Sequence, residues 1–212
     1  MRSDDAGTSP WIPINLRGMI VVFKPSAWEV DGKGSQLVTN PEVEDGRIGL
    51  SSFVKLFFPA NIFPLPHWPE FDHGFLHRLD IPSSGLVLAG TTMEGYYALR
   101  LQLNTYRLNR EYFVTCHGAL SAEFREVNFG IGTTQVCESK STADEHGKPA
   151  KTYVRVLAHA VGSRSWTGPL CIVAIRIRTG RHHQIRTHML FSDHPAVTDA
   201  KYTVLQVSGI GW

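Results

Sequence analysis

Residues 171–178 alternate between apolar side chains and small or basic ones, and this alternation restricts the fold more than any other local feature. One face of the segment carries the β-branched residues Val173, Ile175 and Ile177. The opposite face becomes basic near its end. Because successive side chains of a strand point to opposite faces, the segment is predicted to be a strand with one apolar face.

Similar patterns predict further elements along the chain. Strands are predicted at residues 19–23, 112–116 and 152–158, and the 112–116 strand ends at Gly118. Helices are predicted at residues 52–58 and 93–106, the second with Thr91 and Glu94 at the spacing of a capping box. A third helix follows Gly180, because Ile185 and Met189 are four residues apart.

Other segments lack an apolar period. Residues 1–17 are predicted to be an irregular lead-in, and residues 31–49 and 138–150 to be polar loops. Four prolines between residues 59 and 69 predict irregular structure there. Strands and helices interleave without strict alternation, so we predict an α+β fold with a mixed, mostly antiparallel sheet flanked by helices and loops.

Length and composition bound the class of protein. With 212 residues and 42% hydrophobic content, the chain can bury one substantial core. We expect one domain over residues 18–212 that is short at its C-terminal end, with two small domains as the alternative. We expect an intracellular protein with no secretory signal and no membrane span, because the longest apolar run is Met19 to Phe23. The three cysteines are widely spaced, which is typical of a reducing compartment.

Charge is distributed unevenly although the net charge is only +2. Residues 140–186 hold nine Lys or Arg and two acidic residues, a local charge of +7, whereas residues 1–50 have a charge of −2. A basic half of this kind suits a partner lined with phosphates. A solvated basic face is the alternative, and charge alone does not separate the two.

Residues 77–90, HRLDIPSSGLVLAG, place a carboxylate directly before a stiff turn and an apolar run. The order predicts a polar loop that leads into a buried strand. Asp80 would have a fixed position there, with Arg78 beside it to keep it ionised. Taken alone, the same residues are more typical of a surface ion pair at a loop corner.

A second segment, TGRHHQIRTH at residues 179–188, changes this balance. Together the two segments resemble the signature motifs of the RluA-type RNA pseudouridine synthases. Phe23-Lys24-Pro25 resembles the Asn-Lys-Pro of that family, and Arg110-Glu111-Tyr112 with Gly118 resembles its Lys-x-Tyr segment. His194-Pro195, Asp199 and Tyr202 resemble its His-Pro-x-x-Gly-Asp-x-x-Tyr segment, so the resemblance extends over residues 18–203.

The resemblance implies a site and a reaction. It assigns catalysis to Asp80, Tyr112 and Arg186, with Arg186 as the ion-pair partner of Asp80. Tyr112 would stack on the target uracil, although a core tyrosine explains the alternating pattern equally well. The residues implied in substrate binding are Arg78, Ile185, Arg181 and His183. Arg78 would either fill the gap left by a flipped base or hold the flipped nucleotide by its phosphate, and Ile185 would pack beneath that base.

The implied reaction isomerises uridine to pseudouridine in structured RNA, either rRNA or tRNA, without a cofactor. His77 and His183 are predicted to support loops through hydrogen bonds, and Lys24 to be structural. The spacing of His182, His183 and His188 is not that of a metal site. We expect no membrane partner. The sequence does not determine the oligomeric state, and we expect a monomer.

The chain departs from the family pattern at four positions. Ile81 replaces an Arg or Lys, His182 replaces a Thr, and Asp193 and Thr198 stand where glycine is usual. Two alternative functions stay open. One is an RNA-binding module of the same fold that has lost activity, and the other is a glycoside hydrolase that uses Asp72 and Asp80.

Overall fold

The computed structural model describes residues 9–31, 49–134, 137–161 and 168–202. The chain divides into two compact units, an N-terminal unit, Met1–Leu108, and a C-terminal unit, Asn109–Trp212. Apart from residues 31 and 49, the predicted loop at residues 31–49 lies outside the described residues. Among the described helices, none is both long enough and apolar enough to cross a membrane.

The N-terminal unit contains a three-stranded antiparallel sheet in the order β1-β2-β3. Its strands are β1 (Trp11–Leu16), β2 (Met19–Lys24) and β3 (Gly85–Gly90). Two helices, α1 (Leu50–Phe57) and α2 (Met93–Asn104), confirm the two predicted there. The proline-rich segment, predicted to be irregular, forms two short 3₁₀ helices, Leu65–His67 and Pro69–Gly74, each with a proline in its first turn.

Two predictions for this unit were wrong. Residues 11–16 are a strand and not an irregular lead-in. The prolines that suggested irregular structure are tolerated because β1 is an edge strand, and its pairing with β2 shifts register where Pro13 lies. The N-cap of α2 is Thr92 and not Thr91, since the Thr92 side chain accepts a hydrogen bond from the N–H of Gly95.

The C-terminal unit contains a four-stranded antiparallel sheet in the order β4-β9-β8-β5 and a separate two-stranded ribbon, β6-β7. The strands are β4 (Arg110–His117), β5 (Glu126–Asn128), β6 (Ile131–Thr134), β7 (Cys137–Ala143), β8 (Lys151–Val161) and β9 (Pro169–Ile177). The helix predicted after Gly180 is α3 (Gln184–Phe191). In both units the α+β class with antiparallel sheets is confirmed.

The predicted polar loop at residues 138–150 is wrong over its first part, where residues 137–143 form β7. The sequence of β7 has no alternating apolar face from which a strand could be predicted. The strand is held instead by its pairing with β6. Ser141 is nevertheless buried, and its backbone N–H donates a hydrogen bond to the hydroxyl of Tyr202. A polar side chain is therefore covered by a tertiary contact that no local pattern indicates.

The alternation in β9 creates the core of the C-terminal unit. Cys171, Val173, Ile175 and Ile177 are buried and pack with Met189 of α3. Cys116 of β4 lies opposite Cys171, and both are free thiols. Burial, helped by the neighbouring Cys171, raises the pKa of Cys116 to about 12, so this thiol stays protonated and unreactive.

Two of the departures from the family pattern have a backbone explanation. Asp193 and Thr198, which stand where the family usually has glycine, have φ of 61° and 62°. This left-handed region suits glycine, tolerates Asp, and strains a β-branched residue. The chain keeps the glycine conformation at both positions without the glycine.

We predict that Thr198→Gly stabilises the protein by about 0.5–1 kcal/mol, measured by urea unfolding. Left-handed backbone costs a residue with a Cβ about 1–2 kcal/mol, of which the entropy of glycine in the unfolded chain cancels about 0.5–1 kcal/mol. Thr142→Gly, at an exposed position of β7, is the control and should be destabilising. Equal or lower stability of Thr198→Gly would contradict the prediction.

Candidate active site

The loop that carries Asp80 is tied to the N-terminal sheet on both sides. Ahead of Asp80, the N–H of Leu76 donates to the carbonyl of Leu88 at 3.0 Å. The N–H of Leu88 in turn donates to Nε2 of His77 at 3.3 Å, which confirms the predicted supporting role of His77. Asp80 itself is half-buried, whereas Arg78 is exposed. The carboxylate thus has a fixed backbone and retains access to solvent.

Lys24, at the end of β2, holds the other side of this loop. Its side chain is fully buried, and Nζ donates to the carbonyls of Pro25 at 2.9 Å, Ile81 at 3.2 Å and Ser83 at 2.6 Å. An ammonium group has three donors and no acceptor, so all three are used. The loop is further closed by a turn in which Ser83 N–H donates to the carbonyl of Asp80 at 3.0 Å.

Lys24 also affects the electrostatics of the loop. Burial lowers the pKa of Lys24 to about 8, and the negative charge of Asp80 acts in the opposite direction. The two charges are therefore close enough to interact. Because burial without partners would expel the proton, the three carbonyls and Asp80 together favour the charged ammonium. The structural role predicted for Lys24 is confirmed, and this electrostatic role was missed.

In the C-terminal unit, Arg186 is fixed by a bidentate ion pair with Asp199. Nε donates to one carboxylate oxygen at 2.7 Å and Nη2 to the other at 2.6 Å. The guanidinium carbon also lies 4.6 Å from the centre of the Tyr202 ring. Burial alone would raise the pKa of Asp199, but the hydrogen bonds and charge of Arg186, with two backbone N–H groups, lower it overall.

Tyr202 connects Arg186 to two other parts of this unit. Its hydroxyl accepts from Ser141 N–H at 2.7 Å and lies 2.8 Å from Nδ1 of His183. His183 precedes α3 with a left-handed φ of 50°. The predicted supporting role of His183 is thus confirmed: it joins the start of α3 to the turn around Tyr202.

The remaining predicted residues have defined places in the same unit. Tyr112, on the core side of β4, and Ile185, on α3, are both half-buried and pack against the hydrophobic core. Arg181 donates from Nε to the carbonyl of Pro149 at 3.1 Å. Gln184 fixes the preceding turn, since its side-chain oxygen accepts from Thr179 and from the N–H of Arg181. Sequence reasoning gave Gln184 no role.

The predicted pairing of Asp80 with Arg186 stays a prediction, because the two residues belong to different units. Sequence reasoning did not find Asp199 as the partner of Arg186. The motif contains both Asp199 and Tyr202, so it could have marked them as candidates, although a separation of 13 residues indicates no contact. Across the described ranges, no three His, Cys, Asp or Glu side chains are grouped so that they could hold a metal ion.

An apolar groove of about 430 Å³ lies between β1 and α1 and is lined by residues such as Trp11 and Phe57. Its lining includes none of the predicted site residues and no titratable side chain. The described residues of the motifs at 77–90 and 179–188 lie instead around Asp80 and around Arg186. We therefore treat these two clusters as the candidate site residues.

We predict that Asp199→Asn lowers the free energy of unfolding by about 1–3 kcal/mol at pH 7, because Arg186, with only 16% of its side chain exposed, loses its carboxylate. Folding lowers the pKa of Asp199, so this stabilisation is complete above the ordinary value of 3.8 and is lost as the pH falls through the folded-state value. The wild type should therefore lose this increment in acid, whereas the variant has none to lose.

The matched control is Asp193→Asn, because Asp193 is exposed and asparagine tolerates its left-handed backbone. Urea unfolding between pH 7 and pH 3 measures the effect. Identical curves for the wild type and Asp199→Asn at pH 7 would show that the ion pair does not stabilise the fold.

Known proteins are similar to this chain in sequence and in fold. A ribosomal large subunit pseudouridine synthase D from Nitrosomonas europaea is 31% identical over 142 residues, 65% of this chain and 39% of that protein. The synthase of the same name from Vibrio vulnificus is 33% identical over 144 residues, 68% of this chain and 42% of that protein. The chain thus spans about two-fifths of the length of these relatives.

The solved structure of human RNA pseudouridylate synthase domain containing 1 has a TM-score of 0.69 at 21% identity, over 94% of this chain and 72% of that one. This likeness shows a shared fold. The sequence pattern of the RNA pseudouridylate synthase family matches residues 18–191, which include the Asp80 loop, Tyr112 and Arg186. The chain therefore belongs to the RNA pseudouridylate synthase family.

Proposed function

We propose that this chain is an RNA pseudouridine synthase that converts uridine to pseudouridine in structured RNA, either ribosomal RNA or tRNA. One observation carries the proposal: Asp80 lies half-buried on a loop that a buried ammonium group fixes through three carbonyls. The family supports the reaction, and the names of its ribosomal relatives favour rRNA.

The reaction breaks the bond between N1 of uracil and C1′ of ribose and forms a bond between C5 and C1′. The hydrogen at C5 leaves as a proton, and N1 gains one, so neither oxidation nor hydrolysis occurs. The carboxylate of Asp80 acts at C1′, either as a nucleophile or by stabilising and deprotonating a sugar species. A fixed carboxylate suits both routes, because the reacting carbon must be met at close range.

The other assignments follow the family motifs. Tyr112 stacks on the uracil and takes part in the proton transfer, and Arg186 is the cationic partner of Asp80. Arg78, Ile185, Arg181 and His183 contact the substrate. The exposure of Arg78 supports its role, since a residue that replaces a flipped base must reach into the RNA.

Charge supports RNA as the partner of the C-terminal unit in particular. This unit holds 12 Lys or Arg and eight Asp or Glu, a net charge of +4, whereas the N-terminal unit has a net charge of −2. Phosphate binding by such a surface weakens as salt is added, because counterions compete for it. We expect the affinity for RNA to depend on the C-terminal unit and to fall with ionic strength.

We predict that Asp80→Asn abolishes pseudouridine formation and leaves RNA affinity equal or higher. The amide keeps the size of the carboxylate but removes its charge, so neither attack at C1′ nor deprotonation of the sugar can occur. Pseudouridine in treated RNA is mapped by carbodiimide-dependent stops of reverse transcription, and affinity is measured by filter binding.

Asp72→Asn is the matched control. Asp72 has a left-handed φ of 51°, which asparagine tolerates, so the fold is preserved and activity should persist. Release of free sugar by the wild type without any pseudouridine, with that release lost in both variants, would favour the glycoside hydrolase. RNA binding by the wild type without any pseudouridine would instead favour the inactive RNA-binding module, and turnover by Asp80→Asn would remove the catalytic assignment.

Tyr112→Phe is predicted to bind RNA as the wild type does but to lose most turnover. The phenyl ring retains the stacking surface and the packing against the core, whereas the hydroxyl needed for proton transfer is gone. The same two assays test this, with unfolding by urea as a check on stability. Full activity of Tyr112→Phe would leave this residue a packing role only.

A further inference from the structure

The imidazole of His182 is held in a fixed orientation by two contacts. Its ring stacks on the ring of His183 with 3.7 Å between centroids and an interplanar angle of 27°. Its Nδ1 lies 3.1 Å from the hydroxyl of Ser141 in β7. The stack sets the plane of the ring and the hydrogen bond sets its rotation within that plane.

The ring beneath it is equally well fixed. His183 is anchored by the 2.8 Å hydrogen bond of Nδ1 to the hydroxyl of Tyr202, a residue with only 4% of its surface exposed. Tyr202 lies in turn against the guanidinium of Arg186. The two imidazoles therefore form an ordered column that begins at a buried tyrosine and ends at the protein surface.

His182 is exposed to solvent although it belongs to this column. An ordered aromatic ring at a surface has already lost its side-chain entropy, so a second flat group can stack on it at little further entropic cost. The chain thus presents an ordered flat ring to solvent.

We propose that His182 is a stacking platform for an unpaired nucleobase of the RNA substrate. The inference rests on the proposed function and adds a substrate-binding residue to it. Stacking explains why a ring stands at a position where the family usually has threonine, because threonine offers a hydroxyl but no flat surface.

The test compares three variants for binding to a short fluorescent oligouridylate and to an abasic oligomer of equal length. His182→Ala should weaken binding of the oligouridylate about tenfold, in line with the effect of removing one base–aromatic stack. His182→Phe keeps a flat ring and should bind nearly as the wild type does. His146→Ala, an exposed histidine just beyond β7, is the control and should change nothing.

The abasic oligomer separates stacking from charge, since it has phosphates but no bases. The wild type and His182→Ala should bind it equally. Equal binding of the oligouridylate by these two proteins, an equal loss on the abasic oligomer, or a loss in His182→Phe as large as in His182→Ala would each overturn the inference.

Two further measurements distinguish failure of the stacking inference from a structural role of His182 and from failure of the proposed function. The thermal midpoint of His182→Ala should match that of the wild type, and a lower midpoint accompanied by weak binding of both oligomers would indicate a structural role. If the wild type forms pseudouridine while His182→Ala binds oligouridylate normally, the stacking inference fails and the proposed function stands. If the wild type neither modifies RNA nor binds it, the proposed function itself fails.

Discussion

The Asp80 loop depends on the hydrogen bonds that the buried ammonium group of Lys24 donates to three backbone carbonyls. A charged group in the interior is tolerated only when its donors are satisfied, and here three carbonyls from the end of β2 and the Asp80 loop satisfy them. The bonds therefore work in both directions: the loop keeps the cation charged, and the cation keeps the loop in one conformation. No neutral side chain of similar length could donate to all three carbonyls.

The C-terminal unit follows the same physical rule with different residues. Arg186 is held by Asp199 on one side and by the ring of Tyr202 on another. Charged groups that are already oriented need no reorganisation when charge develops in a transition state, which is how electrostatic catalysis is most effective. Each unit thus holds a charged group in one orientation, and the family motifs include residues that hold those groups in place.

The sequence predicted those features that depend on local periodicity. The alternation in β9 and β4 indicated both strands correctly, and the i, i+4 pair Ile185 and Met189 indicated α3. Prediction from the sequence failed where pairing or burial depends on distant residues. Pro13 suggested irregular structure where an edge strand lies, and the polar sequence of β7 gave no indication that Ser141 is buried. The motifs likewise identified Asp80 and Arg186 but not the carbonyls around Lys24 or the Asp199 carboxylate, since these contacts join segments that only the fold brings together.

The most direct measurement follows the hydrogen at C5 of uridine, which is lost only when the base is reattached through carbon. RNA carrying tritium at C5 of its uridines is incubated with the chain, and the tritium released to water is compared with the pseudouridine formed. We expect release that equals the pseudouridine formed and that requires Asp80. Binding of rRNA and tRNA with no release of tritium would contradict the account, and so would release of free uracil in place of pseudouridine.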